Sequence, residues 1–167
     1  MRREKGFTLV EILIVVVLLG VLAAIVIPSF ANSATSAKAG SMATNLNMLR
    51  RFVLVYTSHH LEVAPGYTAG SGSALDADVF ANQALLASNL QGETAARGTA
   101  GYGYGPYLSK IPTNPFNGLA TIQMLGDGDD FPAEADNRHG WIYRAQTGEI
   151  RPGNSGTDDS GTAYYDY

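Results

Sequence analysis

Hydrophobic and polar positions divide the chain into two unlike stretches. Phe7 to Ile27 reads FTLVEILIVVVLLGVLAAIVI, 21 residues that are apolar except for Thr8 and Glu11. At ~1.5 Å per residue a helix of that length reaches roughly 30 Å, the thickness of a bilayer's hydrocarbon core. No later stretch approaches that length, so the pattern predicts one membrane crossing. Arg2, Arg3 and Lys5 precede it. Positive charge on that side predicts a cytoplasmic N-terminus and an exported remainder. A cleavable signal peptide is the alternative, but its apolar region is about 7–15 residues and closes at a small-residue cut site. Here the run passes Ala23-Ala24 and continues through Ile25, Val26 and Ile27, which predicts a retained segment.

Beyond the span the period becomes that of an amphipathic helix. Pro28 removes a backbone donor and is expected to kink or break an ordinary helix, with helicity resuming at once. Met42, Leu46, Leu49, Val53 and Tyr56 step by 4, 3, 4 and 3, one stripe of a helix. Met48, Phe52 and Val55 are expected to widen that face. A helix from Phe7 to Leu61 would be about 80 Å long. Its second half carries an apolar side that needs a globular partner.

The remainder alternates loops with short elements. Pro65 to Ala74 is a loop by composition. Asp76 or Asp78 is expected to cap a helix running to about Asn89, with Val79, Phe80, Leu85 and Leu86 as its apolar positions. Gln91 to Gly105 is small and Gly-rich, hence irregular. Leu119 to Leu125 has β character. Gly140–Arg144 and Glu149–Arg151 read as a hairpin with Gly148 in the turn. Ala163 to Tyr167 is either an edge strand or a mobile end.

Composition narrows the chemistry. The chain has 167 residues, a formal net charge of −4 and no cysteine. An acidic chain without a basic stripe argues against nucleic-acid binding, which depends on phosphate neutralisation. The absence of cysteine excludes disulfides, thiolate chemistry and Cys-ligated metal sites. No Gly-x-Ser-x-Gly elbow, phosphate loop or His-Glu-x-x-His motif is present, so an enzyme is not expected. Glu11 is the most informative residue. A carboxylate four residues into an apolar helix is costly and marks a functional site unless it snorkels to the interface.

The run Lys5-Gly6-Phe7-Thr8-Leu9-Val10-Glu11 resembles the signal of type IV pilins and type II secretion pseudopilins. The basic head, the glycine, the phenylalanine, the glutamate, the unbroken apolar run and the position of Pro28 all match that family over about the first 30 residues. The resemblance implies residues 1–6 as a leader, cut between Gly6 and Phe7 by a prepilin peptidase that also N-methylates Phe7. It implies that Glu11 pairs with the N-terminal amine of a neighbouring subunit, and that the stretch between Gly20 and Pro28 unwinds on assembly in some members. The implied fold is α+β, a pilin-like lollipop. Residues 7–28 form the transmembrane and filament-core half of the long helix. Residues 29–167 supply its amphipathic half and a soluble head built on a small antiparallel sheet. The implied role is a structural subunit of a helical filament, extracted from the bacterial inner membrane by an assembly platform and its ATPase, alongside other pilins or pseudopilins. Gly105-Pro106-Tyr107-Leu108 through Lys110-Ile111-Pro112-Thr113-Asn114-Pro115-Phe116-Asn117-Gly118 resembles the Tyr-Leu-x-x-Pro region of major pseudopilins, with Asn114-Pro115-Phe116 where Asp-Pro-Trp is more usual. That element and the lack of cysteine favour a type II secretion pseudopilin over a type IV pilin for adhesion, motility or DNA uptake. A non-assembling, single-pass anchored binding module is the reading from a different class.

Two acidic loops are candidate cation sites, Gly126–Asn137 and Gly153–Ser160. Oxygen-rich loops suit Ca²⁺, and major pseudopilins bind calcium in a C-terminal loop. Asp127, Asp129, Asp130, Asp158 and Asp159 are the candidate ligands, against the alternative of solvated surface loops. The spacing fails the EF-hand pattern. His59 and His60 point about 100° apart on a helix, which does not suit one shared metal. His139 stands alone. The tyrosines are expected partly to pack the head and partly to form subunit contacts.

Overall fold

The computed structural model describes residues 6–68 and 75–167. Residues 1–5 of the expected leader and positions 69–74 of the expected Pro65–Ala74 loop lie outside the described residues. The chain divides into two compact units, residues 1–37 and 38–167.

Helix α1, Leu9–His59, enters both units. It is helical throughout, including at Gly20 and Pro28, so the break considered at Pro28 is not seen. Proline's fixed φ suits a helix, and only one amide donor is lost there. The helix ends where Leu61 and Glu62 turn left-handed, with φ of 56° and 62°. The Glu62 amide then donates to the Thr57 carbonyl at 3.1 Å, a Schellman-type closure made without glycine. Within the first unit, Leu9–Ile27 has a mean hydropathy of 3.2 and none of it is buried. It is long and apolar enough to cross a membrane.

The second unit is built on the apolar stripe of α1. Met42, Leu46, Leu49, Val53 and Tyr56 are all buried, as their spacing predicts, and Phe52 joins them. Met48 does not widen the face but is exposed, because six positions from Met42 is well off the stripe's direction. Phe80, Trp141, Tyr143 and Ile150 pack against this stripe to complete the core. Each such side chain stabilises the fold by roughly 1.5–3 kcal/mol through burial.

Helix α2 spans Ala77–Leu85 and is capped by Asp76, whose carboxylate accepts from the Asp78 and Val79 amides. It stops four residues short of the expected Asn89. Leu86 is already extended, and the chain enters strand β1, Ala87–Ser88. β1 pairs antiparallel with β2, Thr94–Ala95, and Ser88 also bridges Tyr104. The Gly-rich stretch read as irregular, Gln91 to Gly105, therefore contributes one short strand and the Tyr104 bridge to a small sheet.

The larger sheet has the order β3-β4-β5, with β3 at Ile122–Leu125, β4 at Trp141–Arg144 and β5 at Glu149–Pro152. β4 and β5 are the predicted antiparallel hairpin, and Gly148 sits in its turn with φ of 69°. β3 and β4 are parallel, pairing Ile122 with Trp141 and Leu125 with Arg144. The head sheet is thus mixed where an antiparallel one was expected. The long 126–140 connection returns the chain to the end of the sheet from which β3 started, which a tight turn cannot do. The tail is neither strand nor mobile end but a 3-10 turn, Tyr164–Asp166, with Tyr164 and Tyr165 buried.

Candidate functional site

The first candidate site lies at the start of α1. Gly6 and Phe7 precede the helix, and Phe7 is 84% exposed. Thr8 is the N-cap residue. Its amide and its hydroxyl both donate to Glu11 Oε2 at 2.8 Å, and the Glu11 amide donates back to the Thr8 hydroxyl at 3.2 Å. This is a capping box, in which a Thr and a Glu three residues on satisfy the orphan donors of the first turn. The Thr-x-x-Glu spacing was visible in the sequence, but the membrane context drew attention to the cost of Glu11 rather than to its partner. Glu11 thus has an intramolecular partner that removes part of its desolvation cost. Beyond it, Leu9–Ile27 presents an apolar surface on all sides, with Gly20 open to solvent. Such a surface is compatible with lipid or with packed copies, and not with water.

The second candidate set is the five aspartates. Asp127 Oδ1 accepts from the Tyr67 hydroxyl at 2.7 Å. Asp129 Oδ2 accepts from the Gly126 amide at 2.9 Å. Asp130 lies 3.7 Å from the Arg144 guanidinium. Asp158 Oδ1 accepts from the Ser160 amide at 2.9 Å, the Ser160 hydroxyl at 2.7 Å and the Thr162 amide at 2.9 Å. Its Oδ2 accepts from the Tyr167 hydroxyl at 2.6 Å. Asp159 also makes an interaction. Among the described residues, no three His, Asp or Glu side chains come together as a metal-holding group. Asp127, Asp129, Asp130 and Asp158 are therefore spread over separate partners rather than converging on one cation. Calcium needs six to eight converging oxygens, and the donors aimed at Asp158 are N–H and O–H groups. The residues present do not fit the ion.

His59 and His60 are absorbed into packing. His60 is buried, stacks on Tyr56 at 3.8 Å between ring centroids, and hydrogen-bonds the Tyr56 carbonyl at 2.8 Å and the Ser88 hydroxyl at 3.0 Å. Burial lowers its pKa from the usual histidine value. His59 instead meets the Tyr107 hydroxyl at 3.1 Å.

A buried polar knot escaped the sequence reading. Asn114 is buried, and its side-chain amide donates to the Gly140 carbonyl at 3.0 Å and to Asn154 Oδ1 at 2.7 Å. Its own Oδ1 accepts from the Phe116 amide. The Trp141 indole donates to the Pro112 carbonyl at 2.8 Å, and Asn117 donates to the His139 carbonyl at 2.7 Å. The Pro112–Asn117 element is thereby hooked to the start of β4. An ionised aspartate at position 114 would have no donor for these two acceptors. The only advance signal was the Asn-Pro-Phe-Asn-Gly turn composition.

Comparison with known proteins agrees with this geometry. A family model described as the prokaryotic N-terminal methylation motif matches residues 1–27. The type II secretion system core protein G of Klebsiella pneumoniae is 30% identical over 128 residues, covering 77% of this chain and 79% of that protein. The type IV major pilin protein PilA of Myxococcus xanthus (strain DK1622) is 47% identical over 47 residues. That match covers 28% of this chain, which spans only 21% of that pilin's length. No solved structure matches the chain.

Proposed function

Because this chain belongs to the family of type II secretion core protein G, the major pseudopilins, we propose that it is a structural subunit of a helical type II secretion pseudopilus. The observation that carries this reading is the likeness to core protein G over most of the chain, joined to the methylation motif at residues 1–27. The type IV pilin alternative is supported only over the short PilA match. A non-assembling anchor has no use for the motif.

In this reading the chain is anchored by its apolar helix before assembly, with the N-terminus cytoplasmic and the second unit exported. A prepilin peptidase removes residues 1–6, cutting between Gly6 and the exposed Phe7, and methylates the new Phe7 amine. Cleavage discards Arg2, Arg3 and Lys5 and creates one positive charge beside the apolar helix. Thr8 survives the cut, so the capping box with Glu11 survives too. The Thr8 donors hold the Glu11 carboxylate but bring no positive charge. The methylated amine of a neighbouring subunit supplies it. Burying either charge alone is expensive, so the pair selects axial register more than it adds net stability. An assembly platform and its ATPase lift the subunit from lipid, and other copies then cover the apolar surface of Leu9–Ile27. The stretch from Gly20 to Pro28 contains the weakest helix formers of the span and is where the helix yields on packing.

The test is Glu11→Gln. The amide keeps the shape and the Thr8 contacts but removes the charge. We expect normal leader cleavage and a loss of assembled filament by an order of magnitude or more, read as cross-linked oligomer ladders of cell-envelope subunits. Wild-type filament yield from the cleaved variant would sink the pairing.

A further inference from the structure

We propose that the C-terminal loop of this chain closes around Asp158 by hydrogen bonds alone, so that the second unit folds and holds its shape without calcium. The family resemblance leads one to expect a cation in this loop, and the donor set disagrees with it. Four hydrogens converge on one carboxylate. Oδ1 takes the Ser160 amide and hydroxyl and the Thr162 amide, and Oδ2 takes the Tyr167 hydroxyl at 2.6 Å. A cation placed on Oδ1 would meet three positively polarised hydrogens where it needs a lone pair, and Oδ2 is already engaged by the Tyr167 hydroxyl.

The backbone tightens the same loop. The Asp158 amide donates to the Thr162 carbonyl at 2.9 Å, and the Gly161 amide donates back to the Asp158 carbonyl at 3.0 Å. Thr157 and Ala163 form an antiparallel bridge across its neck. The next residues are the turn that buries Tyr164 and Tyr165. Arg50 of α1 then donates to the Tyr167 carbonyl at 2.7 Å, so the phenol that closes the loop is itself fixed to the helix that carries the core. Asp127, Asp129 and Asp130 are engaged elsewhere, with Tyr67, Gly126 and Arg144, and do not complete a shell around Asp158.

The full chain in detergent, unassembled, provides the test, so its outcome is separate from whether the protein forms filaments. Thermal unfolding is followed with Ca²⁺ at millimolar concentration and again with excess EGTA, and Ca²⁺ alone is titrated calorimetrically. We expect the same Tm in both conditions and no binding heat. We also expect Tyr167→Phe, which keeps the ring and loses only the hydroxyl, to lower Tm equally with and without calcium. Ser160→Ala should do the same to a smaller degree. A Tm raised several degrees by Ca²⁺ with saturable heat would overturn the proposal, since a ligand that binds only the folded state must stabilise it. So would a Tyr167→Phe chain as stable as wild type.

Discussion

His60 shows how one residue's surroundings become a property of the fold. Both ring nitrogens are engaged and the ring is pressed against Tyr56. Burial is the main cause of its lowered pKa, with His59 adding a smaller push in the same direction. A group whose folded pKa is depressed contributes stability that is present above its unfolded value, near 6.5, and lost as pH falls. Melting temperature should therefore decline as pH drops from 7 towards 5, before most carboxylates titrate. His60→Gln should flatten that decline. An unchanged slope in the variant would show that another group carries it. The sequence argued only against a metal shared by His59 and His60. It did not indicate that Ser88, 28 positions on, was its partner, because no periodicity links a helix end to a two-residue strand.

At the level of elements, legibility follows the locality of the interactions. The buried stripe of α1 was readable because its spacing alone sets the face. The Asp76 cap and the β4–β5 hairpin were readable because their signals lie within a few residues. The parallel pairing of β3 with β4 was not, since it depends on a long connection and on the Asn114 knot. Gly140 is where those distant parts meet. Its amide donates to the Thr121 carbonyl at 2.9 Å, and its carbonyl accepts from Gly153 at 2.9 Å. A β-carbon there would land on the Leu119 carbonyl oxygen, which is backbone and has little freedom to yield. Gly140→Ala should therefore destabilise the second unit by at least 2 kcal/mol, in the range of overpacked cores, measurable by urea unfolding of the full chain. A loss below about 0.5 kcal/mol would mean that the crossing is looser than its geometry implies. Of the candidate sites, the N-terminal motif was legible, but not the capping box that Thr8 makes with Glu11. The fate of the acidic loops was not, because composition counts carboxylates without revealing which donors reach them.

For the whole molecule, two units face different solvents. The first exposes an apolar helix that water cannot satisfy, and the second buries a conventional core under a mixed sheet. A membrane anchor explains the first unit before assembly and a bundle of copies explains it afterwards. The function proposed above joins these two states in one cycle. In the proposed cycle the step between them is maturation at Gly6-Phe7, which would change the charge beside Glu11 and make register-specific pairing achievable. The most direct measurement is the mass of the N-terminal peptide, taken from cell-envelope and sheared extracellular fractions. The account predicts a peptide that begins at singly methylated Phe7, concentrated in the envelope as for a short pseudopilus. An intact start at Met1 or Arg2 in both fractions would contradict it and leave only an anchored module.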